Sequence, residues 1–184
     1  MANTILFMED IFVTFDGFKA LNKLNFSVDY GELRCVIGPN GAGKTTLLDV
    51  VTGKIRPDSG SVIFKETTHL DRMEQEEIAN AGIGRKFQTP TIYENLTVRD
   101  NLELSAKQDK TVKSMLFGGM SGSLGAKVNE TIEIIGLAGK QSWRAGLLAH
   151  GEKQWLEIGM VVVQDPDLLL VDEPVAGMTE SETE

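Results

Sequence analysis

Two segments of this sequence carry residues that can act on a phosphate chain. Gly38-Pro39-Asn40-Gly41-Ala42-Gly43-Lys44-Thr45-Thr46 follows the spacing G-x-x-x-x-G-K-[ST]. A polyphosphate carries several negative charges, and a Gly-rich turn can wrap it with backbone N–H groups. A helix that starts at the end of that turn adds its own unsatisfied N–H groups and the positive end of its dipole. Lys44 is placed to reach the β- and γ-phosphates, and the Thr45 hydroxyl to ligate Mg²⁺. Far downstream, the apolar run Leu168-Leu169-Leu170-Val171 ends in Asp172-Glu173. Asp172 at the end of a buried strand can hold Mg²⁺, and Glu173 can accept a proton from, or orient, an attacking water.

The flanking elements must position these groups. Leu33-Arg34-Cys35-Val36-Ile37 predicts a short buried parallel strand feeding the loop, with Cys35 a small buried apolar residue. Thr46 to Thr52 continues as a helix, with Gly53 as its stop. Before the loop, Ile11 to Phe15 and two short runs between Ala20 and Val28 predict strands, with Asp16-Gly17 a turn. After it, Ser61 to Phe64 predicts a strand, Asp71 to Ala81 a helix, and Ile83 to Phe87 a strand running into Gln88. Thr97 to Asp100 resembles a capping box that opens a helix to about Lys107. Val128, Ile132 and Ile135 recur at helical spacing before Gly136. Gly151 to Gln164 predicts a helix ended by Asp165-Pro166. The stretch 89–147 is expected to be a helical insertion in an α/β frame.

Composition narrows the class. The chain has 184 residues with 41% hydrophobic and 24% charged content, ordinary for a globular protein with one sizeable core. A formal net charge of −9 disfavours nucleic acid and anionic membrane as partners, since both attract Lys and Arg. The single cysteine excludes an internal disulfide. His69 and His150 stand far apart without cysteines, which argues against zinc.

The ordered set of the Gly38–Thr46 loop, Gln88, the segment 148–154 (Leu148-Ala149-His150-Gly151-Glu152-Lys153-Gln154) and Asp172-Glu173 resembles the ATP-binding subunits of ABC transporters. The resemblance spans nearly the whole chain. It implies a P-loop NTPase core of α/β class with an N-terminal antiparallel β region and a helical insertion, within one ATP-binding domain. It further implies that Phe15 stacks on adenine, although a core strand position serves Phe15 equally well in the sequence. Gln88 would contact Mg²⁺ and the attacking water. Asn40 to Thr46 would bind ATP. Ala149, His150, Gly151 and Glu152 would form the signature that covers the γ-phosphate held by a second, head-to-tail subunit. Membrane permease subunits would be the other partners, placing the chain peripherally at the cytoplasmic face of the inner membrane.

Three departures stand out. Ala149 replaces the usual signature serine, Thr179 replaces an aspartate after the acidic pair, and no histidine falls where a switch histidine belongs. The resemblance therefore implies a C-terminally truncated form of a longer subunit, weak or inactive as an ATPase alone. The motifs around Gln88, His150 and Asp172 resemble most the urea importers within the branched-chain amino-acid importer branch. Urea or a related small polar solute is thus the expected cargo. The alternatives are a branched-chain amino-acid importer subunit and a non-transport ABC protein acting as a nucleotide-switched binding module.

Overall fold

Apolar residues in the first strand alternate at Leu6 and Met8, then resume at Ile11 and Val13, all buried. The switch from even to odd positions requires one extra residue, or the second pair would face solvent. The computed structural model, which describes residues 3–86, 92–106 and 122–172, supplies it as a bulge at Glu9-Asp10. Strand β1 (Thr4–Phe15) pairs antiparallel with β2 (Phe18–Asp29), and its register slips between Met8↔Phe26 and Ile11↔Leu24. Asp10 takes a left-handed φ of 48° there, and its N–H donates to Asn25 Oδ1 at 3.0 Å. The two short strands expected between Ala20 and Val28 are thus one continuous β2.

The chain divides into two units, residues 1–83 and 84–184. In the first, β1 and β2 join β3 (Ser59–Phe64) and β4 (Thr68–His69) in an antiparallel sheet of order β2-β1-β3-β4. Helix α1 (Lys44–Val51) buries Leu47, Val50 and Val51, one face at spacings of three and four. The expected helix from Asp71 to Ala81 is shorter. A 3₁₀ turn at Leu70–Arg72 precedes α2 (Gln75–Asn80), which starts where the Glu77 carboxylate accepts the Glu74 N–H at 2.8 Å.

The second unit holds all but the first residue of β5 (Ile83–Lys86), with α3 (Val98–Ser105), α4 (Gly122–Ile134), α5 (His150–Val162) and β6 (Leu168–Val171). Strands β5 and β6 are neighbours in a two-stranded sheet. The three helices share one apolar core, with Leu102, Val128, Ile132 and Leu156 at its centre. Helix α5 presents Gly159 to Ile135, where a Cβ would lie 2.8 Å from the Ile135 Cδ1. Thr97 caps α3 as the sequence suggests, accepting the Asp100 N–H at 3.1 Å. The Gly-rich stretch from Phe117 falls largely outside the described residues.

Candidate nucleotide-binding site

Helix α1 begins on Gly43, whose φ of 85° is left-handed. An alanine there would put its Cβ 2.6 Å from the Ala20 carbonyl oxygen of β2, so glycine sets how closely the loop lies on the sheet. Among the described residues no side chain caps α1, and no acid lies in its first turn. Its positive end is left to an outside acceptor. Lys44 folds back over the loop, its Nζ donating to the Gly38 and Pro39 carbonyls at 2.6 and 3.0 Å. The ammonium is therefore held above the turn that Asn40, Gly41 and Ala42 complete. Thr45 is exposed in the first turn and Thr46 half-buried beside it. This arrangement suits a polyphosphate: a positive helix end, glycine backbone and one ammonium converge within nine residues.

The segment leading into the loop departs from expectation. Residues 33–37 form no strand; Leu33 and Ile37 are 91% and 94% exposed, and Cys35 is exposed as well. Apolar, β-branched composition favours an extended chain, but a strand also needs a neighbour's ladder of N–H and C=O groups. Among the described residues no strand pairs with this segment.

Phe15 ends β1 opposite Phe18, across the turn Asp16-Gly17, where both residues have positive φ (46° and 86°). At 45% exposure it is not a core residue of the sheet.

In the second unit, β6 delivers Asp172 just past its last residue, as the sequence anticipates. Asp172 is buried, and its Oδ2 lies 3.6 Å from Nη2 of Arg85 on β5, whose side chain is 5% exposed. One residue on, the buried Lys86 pairs with Glu157 of α5 at 3.4 Å. Gln88, Glu173 and Thr179 lie outside the described residues. A Mg²⁺ carried by ATP needs only one or two protein oxygens, because phosphates and water supply the rest. In the first unit the exposed Thr45 hydroxyl is a donor of that kind; in the second, the Asp172 carboxylate is another.

The signature segment forms the start of α5. Ala149 is the N-cap, His150 is the first helical residue, and Gly151 is buried. The Glu152 carboxylate turns back to accept the Ala149 N–H at 3.0 Å and also pairs with Lys140. Lys153 reaches Glu94 at 3.0 Å. Sequence reasoning singled out neither Lys140 nor Glu94, nor the cations of β5. Arg85-Lys86 was the readable signal: two adjacent charges inside a strand pattern must both find partners if the strand is buried.

The ABC transporter family profile matches residues 21–176. The high-affinity branched-chain amino acid transport ATP-binding protein LivG of Escherichia coli K12 is 32% identical over all of this chain and 74% of its own length. A probable branched-chain amino acid transport ATP-binding protein LivG of Methanocaldococcus jannaschii is 33% identical over 95% of this chain and 69% of its length. Among solved structures, the ADP conformation of MJ1267, an ATP-binding cassette of an ABC transporter, superposes with a TM-score of 0.81. It is 32% identical and covers 98% of this chain and 72% of its own.

Proposed function

The chain belongs to the ABC transporter family, and from that premise we propose that it energises import of branched-chain amino acids by hydrolysing ATP at the Gly38–Thr46 loop. Its standing as an ABC ATPase follows from the family. The cargo is inferred from the LivG relatives, whose names favour the amino-acid reading over the urea importer suggested by the motifs. No residue here need touch the cargo, which other subunits bind. The observation that carries the nucleotide assignment is the uncapped, acid-free start of α1 beneath the Lys44 ammonium.

Under this reading Asn40 to Thr46 hold the phosphates and Phe15 stacks on the base. Thr45, Asp172 and Gln88 serve Mg²⁺, and Glu173 serves the attacking water. Mg²⁺, when bound, neutralises charge that develops on the phosphates. Residues Ala149 to Glu152 would meet the nucleotide of a second subunit, and permease subunits would anchor the pair at the cytoplasmic membrane face.

Lys44→Ala tests the core of the proposal. A hydrogen bond to a charged group contributes about 1.5–3 kcal/mol, so the variant should bind a fluorescent ATP analogue at least about ten-fold more weakly. Equal affinity would remove the loop from the site. The cargo is tested separately, by nucleotide-driven uptake of leucine against urea in vesicles carrying the assembled transporter. Uptake of urea alone would reverse the assignment.

A further inference from the structure

Strand β5 places two cations where strands rarely tolerate one. Arg85 and Lys86 are successive residues, so their side chains leave opposite faces of the strand. Both side chains are buried, with exposures of 5% and 7%. Each meets its own buried carboxylate: Arg85 meets Asp172 at 3.6 Å and Lys86 meets Glu157 at 3.4 Å. The strand is closely packed just before the pair. At Gly84 an added Cβ would lie 2.7 Å from Val161 Cγ1 and 3.0 Å from Pro166 Cβ, so the backbone is already in close contact there.

We infer that Arg85 is a positioning residue: its guanidinium fixes the Asp172 carboxylate in the orientation that receives Mg²⁺. The inference rests on the assignment of Asp172 to the Mg²⁺ of ATP. A guanidinium is planar and rigid, and this one is packed, so its charge 3.6 Å from Oδ2 biases where the Asp172 oxygens rest before any metal arrives. A group that orients a metal-binding carboxylate typically changes metal affinity about 10–100-fold when removed. The pair on the other face gives an internal control. Lys86 is equally buried on the same strand, yet its partner is Glu157 of the signature helix.

The experiment measures binding of a fluorescent ATP analogue to the full chain as Mg²⁺ is titrated from EDTA, with thermal unfolding in parallel. Arg85→Gln should raise the Mg²⁺ midpoint about ten-fold or more, leaving metal-free binding unchanged. Arg85→Lys keeps the charge but loses the rigid planar group, so its midpoint should rise several-fold. Lys86→Gln should lower the unfolding temperature while keeping the parent's midpoint. A folded Arg85 variant at the parent's midpoint overturns the inference. So does a Lys86→Gln midpoint shifted as far as that of Arg85→Gln, since any buried charge would then suffice. Asp172→Asn separates the premise: if it leaves the Mg²⁺ response intact, the assignment of Asp172 fails first and Arg85 has nothing to position.

Discussion

Helix α1 opens on Gly43 with no side-chain cap and no acid in its first turn, whereas helix α5 opens on Ala149 with Glu152 already turned back onto the Ala149 N–H. Each helix start presents roughly half a unit of positive charge from its aligned peptide dipoles. In α1 no cap and no first-turn acid answers that charge, and Lys44 adds to it. In α5 a carboxylate answers part of it, and Lys140 in turn answers the carboxylate. An incoming phosphate therefore meets a standing attraction at α1 and a competitor at α5. Phosphate affinity should reside in the first unit. The contact made by α5 should be weaker and depend on what else holds the nucleotide.

The sharpest way to break this contrast is to spoil the geometry that leaves α1 open. Gly43→Ala forces a side chain onto a left-handed backbone, at about 1–3 kcal/mol. It also drives the Cβ to 2.6 Å from the Ala20 carbonyl oxygen. The first unit should unfold at clearly lower denaturant, and binding of an ATP analogue should fall with it. An alanine variant that unfolds and binds like the parent would show that the loop tolerates another path onto α1.

A smaller effect should come from completing the start of α5. Ala149 has an extended φ,ψ of −62°, 162°, the usual conformation of a capping residue, but its side chain has no oxygen. Glu152 supplies only one half of the reciprocal pair. Ala149→Ser adds the missing acceptor for an N–H of the first turn, which contributes about 0.5–2 kcal/mol in comparable caps. The expected result is a higher unfolding midpoint for the second unit. In a Glu173→Gln background, ATP-dependent self-association should tighten as well. Unchanged stability would mean that water already satisfies these N–H groups.

Local signals in the sequence carried much of this structure. The Gly43-Lys44 junction, the Thr97 cap and the strand ending at Asp172 each depend on neighbouring residues, and each was legible. Other features depend on partners distant in sequence. The segment Leu33 to Ile37 has strand composition but no described strand beside it, so composition alone misjudged both its pairing and the burial of Cys35. The bulge at Asp10 was readable from the shift in alternation between Met8 and Ile11. The partners of Arg85 and Lys86 were not, because spacing along one strand says nothing about which carboxylates the fold brings alongside. Phe15 was ambiguous for the same reason, and its exposure beside the hairpin turn removes the core alternative.

Helix α3 extends the comparison to a fully closed helix start, and there the smallest effect is expected. Thr97 Oγ1 accepts the Asp100 N–H at 3.1 Å, and the Asp100 carboxylate accepts the Thr97 N–H at 3.1 Å. The hydrogen bond with the Thr97 side chain, followed by that with its backbone, holds the Asp100 carboxyl below its ordinary value of 3.8; the Arg99 charge assists and partial burial opposes. A carboxyl whose pKa is lower folded than unfolded favours the folded state when charged. Its contribution is complete above the unfolded value and disappears as pH falls from there through the folded one. Asp100→Asn removes that dependence. The variant should be less stable by a few tenths of a kcal/mol at neutral pH, in the range of exposed acids at helix starts. The gap should narrow as pH drops below about 4. Denaturant unfolding of both proteins across that range decides it. Parallel curves would mean that Asp100 contributes shape without charge. The openness of α1 would then rest on the glycine geometry of its loop, and the missing first-turn acid would count for little.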